Sequence, residues 1–171
     1  MYHAGFAFYT EYCRTLKKLT LKDLIKHIES LIEFGNNPNV KRENKVLELK
    51  KILIGIYAEY VNLKPEFDEK EYPPEPNFNY QEIRKNLSAN FPDFGLYHIA
   101  YDCHLIEKDA DLVMGDAMDD LTDIIRDMLS VKWKYENTSI ADAKWEFDFS
   151  MSIHSESHLV NFLKYLKEKA S

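Results

Sequence analysis

The chain is 171 residues long, 45% hydrophobic and 13% aromatic, with a formal net charge of −7. That length suits one domain able to bury roughly 70% of its unfolded chain's surface, so folding needs neither disulfides nor a structural metal. The acidic balance argues against general nucleic-acid binding, for which Lys41-Arg42 and Lys50-Lys51 are the only hints of a basic footprint.

Met1 to Thr10 is apolar and aromatic, but it lacks a basic n-region and meets Glu11 too soon for a signal peptide. No apolar run approaches the ~20 residues of a membrane span, so a cytoplasmic protein without membrane contact is expected. Cys13 and Cys103, the two cysteines, are expected as reduced thiols.

Phe6, Tyr9, Cys13 and Leu16 recur at helical spacing and predict a first helix. Thr20 is suited to cap a second, with Asp23 completing an abbreviated capping box. Leu21, Leu24, Ile25, Ile28, Leu31 and Ile32 form its apolar stripe, and Gly35 reads as its stop. After a turn at 36–39, a third helix runs to about Val61. Val46, Leu49, Ile52, Leu53, Ile56, Tyr57 and Tyr60 lie on its inner face, Gly55 interrupts it, and Pro65 closes it.

Residues 64–77 hold Pro65, Pro73, Pro74 and Pro76 among many acids, with no apolar period. A surface loop is favoured over a hinge between subdomains, because each flank alone would make a small core. Asn79 caps a short helix with Ile83 and Leu87 inside, ended by Pro92. Residues 94–101 leave no hydrophilic face, and a short buried helix is favoured there over a strand; 107–111 reads as a turn.

Met118, Leu121, Ile125 and Met128 define a long helix ending near Tyr135, after which Asn137 breaks and Ser139 caps. A last long helix extends to about Lys169, bent near 150–157. Its apolar residues fall in two ribbons, Ala141, Trp145, Phe149, Leu159, Leu163 and Leu166 on one and Phe147, Met151, Phe162 and Tyr165 on the other, which suits a central position. Trp133 and Trp145 are both expected in the core. The fold expected is all-α: one domain, an irregular bundle of about six or seven helices, with the two long C-terminal helices antiparallel across the short connection at Asn137.

Two constellations could carry chemistry. His154 and His158 are four residues apart on a helix, which places both imidazoles on one face, close enough to share a metal. The plainer reading is two core-edge histidines bonded to carboxylates of a facing helix. It is preferred because two ligands do not complete a zinc site, and the Glu that follows the first His in zincins is absent. The second constellation is acidic: Asp116, Asp120, Asp123 and Asp127 stripe one helix face, with Asp119 and Arg126 beside them. Its functional reading is a carboxylate patch for a divalent cation or a basic ligand; the preferred one is a solvated face, which most charge runs are. His98 and His104 around Asp102 and Cys103 lack a regular ligand spacing.

Residues 119–127 (Asp-Asp-Leu-Thr-Asp-Ile-Ile-Arg-Asp), then Ala143-Lys144-Trp145-Glu146-Phe147, Phe149 and His154-Ser155-Glu156-Ser157-His158, resemble a bacterial family of helical proteins, the domain of unknown function 5063. Phe8 to Cys13 fits it too. Ser155 and Glu156 stand where the family pattern has Trp and Gly. The resemblance covers the C-terminal third and implies an all-helical fold in which Asp120, Asp123, Arg126, Asp127, His154 and His158 form one cluster; it implies no activity.

With no recognisable catalytic set, the leading expectation is a non-enzymatic accessory protein, of regulatory or immunity type, with a protein partner. The alternative is a metal-dependent, hydrolase-like site between the last two helices. There His154 and His158 would be ligands to a divalent metal, Asp123 or Asp127 a further ligand or base, and Arg126 an anion clamp.

Overall fold

The computed structural model describes residues 21–169. The helix expected at 6–16, with Cys13, and the Thr20 cap lie outside that range. In chain order the elements are α1 (Leu21–Asn36), α2 (Lys45–Asn62), α3 (Tyr80–Asn90), β1 (Leu96–Tyr101), β2 (Asp111–Asp116), α4 (Ala117–Asn137), α5 (Ile140–Ser150), a π-helical turn (Met151–Ser155) and α6 (Glu156–Lys169). The described residues form a helical bundle with one small hairpin. Among the described residues, no helix is long and apolar enough to cross a membrane.

The stripe of α1 is buried as its spacing demands, with Leu24, Ile28, Leu31 and Phe34 out of solvent. Gly35, however, does not stop the helix, which continues to Asn36. A Cβ at Gly35 would lie 2.9 Å from Ile125 Cγ2 and 3.2 Å from Ile83 Cγ2. The glycine therefore serves the close approach of α1 to α3 and α4, not a left-handed cap. The α1–α2 connection is held by buried Asn90. Its Nδ2 donates to the carbonyls of Phe34 (3.1 Å) and Asn37 (2.6 Å), and its Oδ1 accepts from Val40 N–H and Lys45 Nζ.

Asn44 caps α2 by accepting from Leu47 N–H, and Leu49, Ile52, Leu53 and Ile56 enter the core. Val46 stays exposed. The His27 ring of α1 packs on Gly55, where a Cβ would lie 2.6 Å from His27 Cε1. The proline-rich stretch lies as irregular chain against the start of α5. Asp68 there accepts from Tyr72 OH (2.6 Å) and from Ser139 Oγ, and Glu66 pairs with Lys144. Asn79 caps α3, accepting from Gln81 and Glu82 N–H.

Residues 96–101 are a strand, not the buried helix expected. β1 pairs antiparallel with β2, from Leu96↔Asp116 to Tyr101↔Asp111. The operative period is two: Tyr97 and Ile99 turn toward the bundle, Tyr97 packing on Tyr165 with centroids 5.1 Å apart, while Leu96 and His98 face solvent. The apolar outer face (Leu96, Leu112, Met114) erases the alternation that would have marked the strand. Asp102, in the left-handed region with φ 57°, opens the connecting loop.

Asp116 caps α4 by accepting from Met118 N–H, and Ser139 caps α5 by accepting from Asp142 N–H. The α5–α6 unit runs back antiparallel along α4. Leu121, Ile124, Ile125 and Met128 meet Phe147, Met151, Leu159 and Phe162 in one continuous core. The π turn, Met151–Ser155, falls within the stretch read as bent. Of the two ribbons, Phe147, Met151 and Phe162 of one and Leu159 and Leu166 of the other are buried, whereas Phe149 is exposed. Trp133 and Trp145 are half-buried rather than in the core; Trp145 stacks on Phe149 with centroids 4.8 Å apart.

Candidate metal centre

The inner face of α4 presents Asp120, Asp123 and Asp127, separated by three and four residues and so aligned along the helix. Opposite them the π turn and the first turn of α6 present His154, Ser155 and His158. The extra residue of the π turn matters here. Steps of four from Phe147 through Met151, Ser155 and Leu159 would drift around a regular α-helix by about 40° each. The wider turn absorbs that drift, so all four stay buried and both histidines face α4.

Each imidazole is fixed by an aspartate. His154 Nδ1 lies 2.8 Å from Asp127 Oδ2, and His158 Nδ1 lies 2.7 Å from Asp120 Oδ1. A carboxylate can only accept, so both Nδ1 atoms carry a proton, and each imidazole, when neutral, keeps its lone pair on Nε2. Those Nε2 atoms are 3.2 Å apart. Two lone pairs aimed into the same space repel unless a cation lies between them. A proton on one Nε2 meets that need, and the hydrogen bond to Asp120 favours the charged form of His158, raising its pKa against the opposing effect of burial. A metal ion is the other cation that fits. Nitrogens about 2.0–2.1 Å from a tetrahedral zinc ion are themselves about 3.3–3.4 Å apart, close to the observed spacing.

Asp123 supplies the third donor. One of its oxygens and one nitrogen from each histidine all lie within 4.8 Å of one another. Burial pushes the Asp123 carboxyl above its usual range, with Arg126 and the two histidines pulling partly back. Arg126 Nη2 stands 3.5 Å from Asp123 Oδ1, and its guanidinium lies over the Tyr80 ring, 5.8 Å from the centroid. Three carboxylates against one guanidinium leave the cluster two negative charges in excess when the histidines are neutral, which a dication would cancel.

Two further groups orient the ligands' supports. Ser155 Oγ donates to Asp127 Oδ2 at 2.6 Å, and Tyr97 OH donates to Asp120 Oδ2. Burial first, and then that carboxylate, push the Tyr97 phenol up, so it remains a donor at neutral pH. Carboxylate–histidine–metal relays of this kind fix the tautomer and raise the basicity of the ligating nitrogen. Beside the cluster an open cavity of about 680 Å³ touches Arg126, Asp127 and His154 and runs out between α5 and the loop at 75–78.

The structure therefore gathers Asp120, Asp123, Arg126, Asp127, His154 and His158 in one place. The acidic stripe is not the solvated face preferred on sequence grounds: Asp120 is buried, and Asp123 and Asp127 are largely covered. Asp116 and Asp119 belong elsewhere, paired with Arg84 of α3; Tyr80 OH also donates to Asp119 at 2.7 Å. Sequence reasoning misses Arg84, Tyr97 and Ser155. Tyr97 reaches Asp120 only because its segment is a strand, and nothing in the sequence marks Ser155 apart from its place beside His154. His98 points to solvent, and Cys103 is an exposed free thiol.

No family model matches this sequence, and no curated protein does. Among solved structures, the chain is similar to the crystal structure of protein BF1032 from Bacteroides fragilis, with a TM-score of 0.68 over 91% of this chain and 94% of that one. Sequence identity is 16%, so the likeness concerns the fold.

Proposed function

We propose that the protein binds one late first-row divalent metal ion, zinc in the first instance, through His154 Nε2, His158 Nε2 and an Asp123 oxygen, and uses it for hydrolytic chemistry. The observation that carries this reading is the pair of Nε2 atoms converging at 3.2 Å, each imidazole hydrogen-bonded through Nδ1 to its own aspartate. Two nitrogens and one carboxylate oxygen suit zinc, and three protein ligands leave a fourth position for water, as in catalytic rather than structural zinc sites. Bound there, a zinc ion would supply a water acidified to a pKa of about 7. The cavity beside His154 would give a substrate access to it.

Kinship with the domain of unknown function 5063 family is proposed with it, on the motif residues that converge in the cluster. The accessory-protein reading rests on the lack of a recognisable catalytic set, and the converging donors favour the metal site over it. The test is thermal unfolding of the wild type and of a His154→Ala/His158→Ala variant, in EDTA and with zinc, manganese, nickel or magnesium. An ion at 100 times its dissociation constant stabilises by about 2.7 kcal/mol, several degrees in midpoint. A zinc-selective rise that vanishes in the variant supports the proposal. No rise with any ion, together with a stoichiometric protein partner in pull-downs, makes an accessory role the better description.

A further inference from the structure

We infer that the cavity beside the metal centre takes an oxyanion carried on an apolar body, a carboxylate or phosphate ester of aryl or alkyl type, with Arg126 clamping the anion; the inference rests on the metal reading above. Three features of the cavity converge on that class. Its lining includes Arg126, Asp127 and His154, so a group bound against them sits beside the proposed metal ligands. The Arg126 side chain is 42% exposed, and its contact with Asp123, at 3.5 Å, is too long for a good hydrogen bond. Its planar donors thus remain available to an incoming oxyanion, the geometry for which arginine is best suited.

Part of the cavity's lining is apolar where solvent-facing residues would ordinarily be polar. Phe149 is 41% exposed and Ile153 65%, both border this cavity, and Phe78 faces them from the loop. Exposed aromatic and branched side chains around a concave site are what an apolar ligand body would cover. Of the acidic residues in the lining, Glu146 shares Lys134 Nζ (3.0 Å) with Asp142 (3.3 Å) and accepts from Ser150 Oγ at 2.9 Å, and Asp127 is engaged by His154 Nδ1 and Ser155 Oγ. Glu75, on the loop, lies at the exposed rim.

The experiment is calorimetric titration of the zinc-loaded protein with phenyl phosphate and phenylacetate, beside inorganic phosphate (the anion alone) and benzyl alcohol (the body alone). At least one of the joined probes is expected to bind about 10- to 100-fold more tightly than either fragment, the range for a charged hydrogen-bonded pair. Arg126→Ala should erase the preference over benzyl alcohol, and Phe149→Ser the preference over inorganic phosphate, with zinc binding undiminished in both. Zinc binding without any probe binding, or preferences that survive both substitutions, overturns the pocket assignment and leaves the metal site standing. Failure of the wild type to bind zinc removes the metal reading and the pocket with it.

Discussion

Asp120 and Asp123 lie one turn apart on α4, yet their removal should act in opposite directions on the metal-free protein. Asp120 is 4% exposed and accepts from both the Tyr97 hydroxyl and His158 Nδ1–H. Replacing it with alanine strands two donors in partly buried surroundings, at about 1–3 kcal/mol each. Asp120→Ala should therefore destabilise by about 3 kcal/mol, lowering the midpoint by roughly 6–12 °C for a chain of this size. Asp123 makes no short hydrogen bond, and burial pushes its carboxyl up, so its charge opposes folding at neutral pH. Asp123→Asn should leave stability within about 1 kcal/mol of wild type, on the stabilising side, while abolishing the zinc-induced rise. The assay is urea or thermal unfolding in EDTA, repeated with zinc. If Asp123→Asn weakened the metal-free protein as much as Asp120→Ala, or if Asp120→Ala changed stability by less than about 0.5 kcal/mol, the assignment of support to one aspartate and ligation to the other would be wrong.

The pH dependence has a definite sign. His158 is raised above 6.5 and Asp123 above 3.8 in the folded protein, so each contributes stability below its unfolded pKa and loses it as pH rises through the folded value. Metal-free protein should accordingly lose stability as pH rises above 6.5, whereas with excess zinc the loss should shrink or reverse because the ligands must be deprotonated. Midpoints recorded across that rise in EDTA and in zinc read both. At Asn90, alanine removes the contacts that hold Phe34, Asn37, Val40 and Lys45 together, and a loss of about 2–3 kcal/mol is expected in denaturant titrations. Gly35→Val should cost about 1–3 kcal/mol through overpacking against Ile125 and Ile83; an unchanged midpoint would mean α1 and α4 can move apart.

The helices are legible in the sequence because their signals are local. Asn79, Ser139 and the stripe of α1 each act within a turn or two of chain, and the capping and burial they imply are present. The His/Asp cluster is legible in its parts, since a four-residue spacing fixes which side chains share a face. What the sequence does not supply is the facing relation, which depends on the π turn. Read with a regular α-helical period, residues 141–166 split into two ribbons and Phe149 joins the core. With one residue more in the turn, Ser155 and Leu159 continue the buried line of Phe147 and Met151, and Phe149 is left at the cavity rim. The hairpin escapes notice for a different reason. Its outward positions are apolar, so alternation carries no contrast, and its partner strand begins in what reads as a polar turn. Gly35 shows the same limit at a single residue: a helix-end glycine and a close-approach glycine look identical until the neighbouring helix is placed.

The metal centre itself is open to direct observation, by following the side-chain nitrogens of His154 and His158 with ¹H–¹⁵N NMR while zinc is added to metal-free protein. Both Nδ1 atoms should stay protonated throughout, and both Nε2 resonances should move together and stop moving at one zinc ion per chain. Nε2 resonances unaffected by zinc, or a proton found on Nε2 with Nδ1 free in either histidine, would contradict the proposed ligation.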